Sequence, residues 1–298
     1  MNTIKLALAR LRVSLTVVKS HKVLIWFAII NILLFVAVLG VAGWSVGNMP
    51  IPSDYFAQQS AIGAVFLAVF FILNLIGIFF AATFFSAAST ALAGEKVRFS
   101  EAFGAAWARR KYLAQWWLFT SGIFIVIFII QFGLEKVLSV FGKGASTLIS
   151  TLTGGVLQTG WSLAAYFAVP VIMTHPDSPI PTIKRSASLF KRSFGEDVTA
   201  QGSLFLLGVF IFWLSGCLVG LINFTIFTIN PAIDTLIFGI VAGSIFGTVL
   251  ATLVIIGTTT RAVFYASLYR FAETGDYVGP FNQEIISGAF AKKKTKFF

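Results

Sequence analysis

Six stretches of the chain run for roughly twenty residues or more with almost no charged side chains, which is the length a helix needs to cross a bilayer. They lie at 23–47, 61–88, 115–138, 145–173, 202–229 and 235–260. The apolar run at 23–47 is longer than the roughly 7–15 residues of a signal-peptide core, so it reads as a retained first span. Six spans return the chain to the side on which it began. The pattern predicts an all-α membrane protein, one integral domain over 1–298.

Between the apolar blocks the periodicity changes. Over 182–194, Ile183, Ala187, Phe190 and Phe194 recur at helical spacing, while Lys184, Arg185, Ser188, Lys191 and Arg192 fall on the other side. That is the signature of an interfacial amphipathic helix. A second such helix is expected over 3–19, where Ile4, Leu8, Leu11, Leu15 and Val18 form a stripe and Leu6, Val13 and Val17 add a strip behind it. A third is expected over 99–112, carried by Phe99, Phe103, Ala106 and Trp107, with Arg110 intruding on the apolar face. Each precedes a pair of spans, so the chain reads as three hairpins, each introduced by an amphipathic helix. Arg109–Arg110 and Lys191–Arg192 hold matching places in the second and third units.

Charge orients this scheme. The chain has 22 Lys and Arg against 11 Asp and Glu. Lys5, Arg10, Arg12, Lys19 and Lys22 precede the first span, and Lys96, Arg98, Arg109, Arg110 and Lys111 separate the second from the third. Lys184, Arg185, Lys191 and Arg192 separate the fourth from the fifth, and Arg261, Arg270 and Lys292–Lys294 with Lys296 follow the sixth. Only Lys136 and Lys143 fall on the opposite side. Positive residues collect in cytoplasmic loops, so both termini are expected in the cytoplasm. The net charge of +11 is then explained by attraction to anionic headgroups, about 1 kcal/mol per basic residue near the surface, and needs no nucleic acid.

Composition agrees. Apolar residues make up 57% of the chain and charged ones 11%, against about 25% charged in soluble domains. Spans and connections take up nearly all 298 residues, leaving no room for a soluble catalytic domain.

The spans carry little chemistry. No Asp, Glu, Lys, Arg or His occurs over 61–94, 144–174 or 198–233, whereas ion and proton relays are built from such residues. Asn31, Asn74, Gln131, Gln158 and Asn223 are polar and uncharged. We read them as interhelical hydrogen bonds; the alternative makes Asn74 and Gln158, with a kink at Pro170, the lining of a solute pathway. Gly239, Gly243 and Gly247 repeat every four residues, as do Gly216 and Gly220, a spacing that lets helix backbones approach. Cys217 stands alone, and His21 and His175 have no ligand-spaced companions, so no metal or cofactor is expected. Asn230-Pro231-Ala232 reads as a helix cap, Ser188 with Lys191 as a solvated face, and His175-Pro176-Asp177 as a turn.

The run Phe167-Ala-Val-Pro-Val-Ile-Met, followed by Pro181-Thr-Ile-Lys-Arg-Ser-Ala-Ser-Leu-Phe-Lys-Arg-Ser-Phe-Gly-Glu196, resembles the central signature of a family of six-span prokaryotic membrane proteins of unknown function. Ser267-Leu-Tyr-Arg-Phe-Ala-Glu-Thr-Gly275 is similar to that family's closing motif, and the architecture looks like the membrane domain attached to some glycerophosphodiester phosphodiesterases. The resemblance implies a bacterial inner-membrane location and six spans; it carries no activity. The expectation is a non-enzymatic protein that binds membrane lipids, or a membrane-protein partner or a second copy of itself, through Lys184, Arg185, Lys191, Arg192, Arg109 and Arg110. The alternative is a transporter or channel for a small neutral or lipid-like solute.

Overall fold

The computed structural model describes residues 3–48, 55–194 and 235–281, and every regular element in them is helical. Helix α1 (Thr3–Ser20) passes through a two-residue bend into α2 (Val23–Gly47). Helix α3 (Tyr55–Leu92) returns and stops at Gly94, whose φ of +78° suits a residue without a Cβ. Helix α4 (Phe99–Ala108) and α5 (Arg110–Leu138) follow, with the backbone of Arg109 between them. A 3₁₀ turn (Ser139–Phe141) leads into α6 (Lys143–Ala164), then come α7 (Ala168–Thr174), α8 (Pro179–Phe194) and α9 (Thr235–Thr274).

Among the described residues five helical segments are long and apolar enough to cross a membrane: Val23–Gly47, Ser60–Leu92, Arg110–Leu138, Ile149–Thr174 and Ala251–Thr274. The chain is therefore a multi-pass, membrane-embedded helical protein. The span expected at 202–229 lies outside the described residues, together with Gly216, Gly220, Cys217, Asn223, Asn230-Pro231-Ala232 and the lysines after 291.

Three boundaries differ from the sequence pattern. The helix expected over 99–112 is divided at Arg109, so Arg110 opens α5. The span expected at 145–173 is broken at 165–167 into α6 and α7. The last span, expected to end at Thr260, lies within a helix that continues to Thr274. Thr258, Thr259 and Thr260 return their hydroxyls to the carbonyls of Val254, Ile255 and Ile256, so they decorate the helix without stopping it. Gly275, at φ +82°, ends it.

The buried core gathers where the basic residues are. Leu24, Phe27 and Ala28 at the start of α2 meet Phe84, Ala87, Ala88 and Ala91 near the end of α3 and Val263–Ala272 in α9. Leu113 and Trp116 of α5 join Ala82, Ala106, Ala168 and Ile172 in an adjoining cluster. Alanine recurs through both clusters, and small side chains are what let helices approach inside a membrane. Gly247, by contrast, is exposed, with nothing among the described residues within 4 Å of where a Cβ would stand.

Candidate functional site

The break in the fourth apolar segment organises a polar cluster. Proline at 170 has no N–H to give to the carbonyl of Tyr166, four residues earlier, and its ring crowds that carbonyl. The helix accordingly parts before the proline, not at it, and α7 restarts with Pro170 buried in its first turn. A parted helix inside a membrane leaves backbone groups that only protein can satisfy. Two of them are met by side chains: the Phe167 N–H donates to Ser186 Oγ of α8 at 2.9 Å, and the Tyr265 hydroxyl of α9 donates to the Tyr166 carbonyl.

Below the break, α7 ends in a charged cluster. Arg185 Nη2 on α8 lies 3.1 Å from Glu273 Oε1 on α9 and 3.1 Å from His175 Nε2. Arginine offers only donors, so Nε2 of the neutral ring accepts and Nδ1 holds the proton, a tautomer assigned from these partners. That proton faces Thr174 Oγ1 at 2.9 Å, with Glu273 Oε1 at 3.4 Å. Thr174 Oγ1 is also 2.7 Å from the Tyr269 hydroxyl and 3.0 Å from the Pro170 carbonyl. Tyr265, Tyr269 and Glu273 follow one another at four-residue steps, so a single face of α9 clamps α7 and α8 together.

The surrounding rings hold the clamp. Phe167 is fully buried, 5.8 Å from Tyr265 in a stacked arrangement and 5.7 Å from Tyr269. Phe99, Phe103 and Trp107 form a stacked ladder along α4, with Phe103 and Trp107 edge-on to Phe79 of α3. Arg110 caps that ladder, its guanidinium 5.5 Å from the Trp107 ring and bonded to the Trp107 carbonyl at 3.2 Å. Arg109 is half-buried at the junction of α4 and α5.

Lys184 and Lys191 are exposed on α8, whereas Thr182, Ser186 and Leu189 are buried beneath them; Arg192 falls in the last turn. Arg185 belongs to the buried-side network instead of the exposed row. The apolar residues Ile183 and Phe190 also turn inward, Phe190 against Tyr166 and Ile183 against the second core cluster, so this face packs on protein. In α1 the packed residues are Arg10, Ser14, Val17 and Val18, while Leu11 is exposed, a rotation from the expected stripe. Arg10 lies over the Phe264 ring at 5.3 Å, and burial lowers its guanidinium pKa from the ordinary value.

Of the residues expected to line a pathway, Pro170 is buried in α7, Gln158 is exposed on α6, and Asn74 is half-buried on α3. The Asn74 Oδ1 atom is buried without a hydrogen-bond partner among the described residues, as is Asn31 Oδ1 on α2. No hydrogen bond joins Asn74, Gln158 and Pro170. Gly239 and Gly243 fall within α9. Among the described residues no group of three His, Cys, Asp or Glu side chains is placed to hold a metal ion.

The pattern of spans did not point to Ser186, Tyr265, Tyr269 or Glu273. The available signal was the four-residue spacing of the last three, the only run in the final helix that ends in a carboxylate.

No curated protein and no solved structure matches this chain significantly. Residues 61–279, from the second span through the polar clamp to the glycines after α9, match the model of a family of unknown function (DUF6159), and the chain belongs to that family.

Proposed function

We propose that this protein is a non-enzymatic, six-span component of a bacterial inner membrane, with both termini cytoplasmic, that binds anionic lipid headgroups through its basic helices. The observation that carries the reading is α8: Lys184 and Lys191, seven residues apart, project from a helix whose opposite side is locked to α7 and α9. A fixed helix presents its charges without the ordering cost that a free one meets on binding. Arg110, held over the exposed Trp107 ring, offers a second basic and aromatic contact at the same end. Replacing Lys184 and Lys191 with glutamine is expected to reduce the phosphatidylglycerol that co-purifies with the full-length protein. Unchanged lipid at unchanged helicity would remove the proposal. A stoichiometric second polypeptide in native mass spectrometry, lost in the same variant, would make the lysines a docking surface for a membrane-protein partner.

One observation favours transport as a second reading. A broken helix at membrane depth is how several transporters form their sites, and the Asn74 Oδ1 atom is buried without a partner among the described residues. The break itself is sealed by Ser186 and Tyr265, which is why lipid binding is the first reading. Solute flux in liposomes that vanished in Asn74→Ala or Gln158→Ala would reverse the order.

A further inference from the structure

A groove where α1, α2 and α9 meet has a composition that specifies an amphiphile. Its floor is aliphatic, formed by Val18 of α1, Ile25 of α2, and Ile255 and Ile256 of α9. Its rim carries Lys19, in the last turn of α1, and Lys22, in the bend before α2, both exposed. The cavity is about 230 Å³, below the roughly 300–1,000 Å³ of sites that enclose whole drug-sized ligands. It therefore takes a stretch of one hydrocarbon chain and leaves a headgroup outside, at the lysines.

We infer that this groove is a specific site for one anionic phospholipid, with an acyl chain along Ile25, Ile255 and Ile256 and the phosphate between Lys19 and Lys22. The bend places both features together. Ile25 N–H bonds to the Lys22 carbonyl at 3.0 Å and Leu24 N–H to the His21 carbonyl at 3.0 Å, so the lysines and the apolar wall are joined by hydrogen-bonded turns. Lysine suits this position because its flexible stem follows apolar surface while the ammonium reaches the phosphate plane. Free phosphate would satisfy the lysines and leave the aliphatic floor bare; a neutral lipid would fill the floor and leave the charges unmatched. The site rests on the reading that the basic end faces an anionic leaflet, but it uses none of the α8 residues on which headgroup binding was proposed.

The test is native mass spectrometry of the full-length protein released from nanodiscs of equal parts phosphatidylglycerol and phosphatidylcholine, with inorganic phosphate added in a parallel arm. The wild type is expected to keep one phosphatidylglycerol, undisplaced by phosphate. Lys19→Gln with Lys22→Gln is expected to lower the preference for phosphatidylglycerol by about ten- to thirtyfold, from two basic residues near the surface. Ile256→Trp, which fills the groove, is expected to lose the bound lipid of either kind; the lysine pair, exposed and outside the core, tests the site even if the tryptophan variant does not fold. If both groove variants keep the lipid while Lys184→Gln with Lys191→Gln loses it, the groove assignment is wrong and the α8 reading stands. If no variant changes lipid retention, both are wrong. Displacement by phosphate, or a polypeptide held in the lipid's place, overturns the assignment as well.

Discussion

Among the described residues, the two ends of the helical bundle are made of similarly apolar side chains and packed very differently. At the basic end Phe27, Phe84, Phe167 and Tyr269 are buried against one another, and alanines from α3, α4, α7 and α9 fill the spaces between helices. At the far end Trp44, Phe66, Val137, Val140 and Val156 stand exposed on α2, α3, α5, the turn after it and α6. Apolar content alone thus does not say where a membrane protein holds itself together. What separates the ends is the presence of small residues and of polar groups with partners, since lipid competes with any aliphatic contact but not with a backbone hydrogen bond.

The sharpest way to break this contrast is to truncate one ring at each end. Phe167→Ala removes a fully buried ring and is expected to cost about 3–5 kcal/mol. Phe66→Ala, at a residue 68% exposed, is expected to stay within about 0.5 kcal/mol. Reversible unfolding in mixed micelles reads both, and equal losses would mean that the far end is also packed.

Next in size is Ser186→Ala, which leaves the Phe167 N–H buried without an acceptor, at about 1–3 kcal/mol. Hydrogen exchange at the break should rise in this variant and not in Ser188→Ala, whose hydroxyl is exposed. Glu273→Ala follows at about 1 kcal/mol, because Arg185 and His175 are both partly exposed and solvent screens the loss. Protease cleavage between α7 and α8 should become faster. A further small effect is expected at the far end, where Gln131 of α5 lies across Gly154 of α6. Gly154→Ala should cost under about 1 kcal/mol, as a flexible side chain can yield, and adding Gln131→Ala should remove the penalty in a double-mutant cycle.

Much of the fold was legible from periodicity. The blocks at 23–47, 61–88 and 115–138 all lie within single helices, since long runs of apolar residues without proline have no other low-energy state in lipid. The helix boundary at 165–167 was not, because Pro170 marks a break without saying which side of it the chain opens. The direction of Arg185 was hidden for a related reason. Charge on the polar side of an amphipathic pattern reads as a solvated face, and only the arrival of Glu273, 88 residues later, turns it inward. The exposed positions of Lys184 and Lys191 followed directly from the same pattern.

The sealed break also has a consequence for synthesis. The Tyr166 carbonyl waits for a hydroxyl 99 residues further along the chain, and Thr174 for one 95 residues further. A ribosome adding about 5–20 residues per second delivers those partners several seconds after the fourth apolar segment has left the exit tunnel. During that interval the nascent chain holds the fourth segment without the hydroxyls that complete its break, and the last helix supplies them only when it arrives.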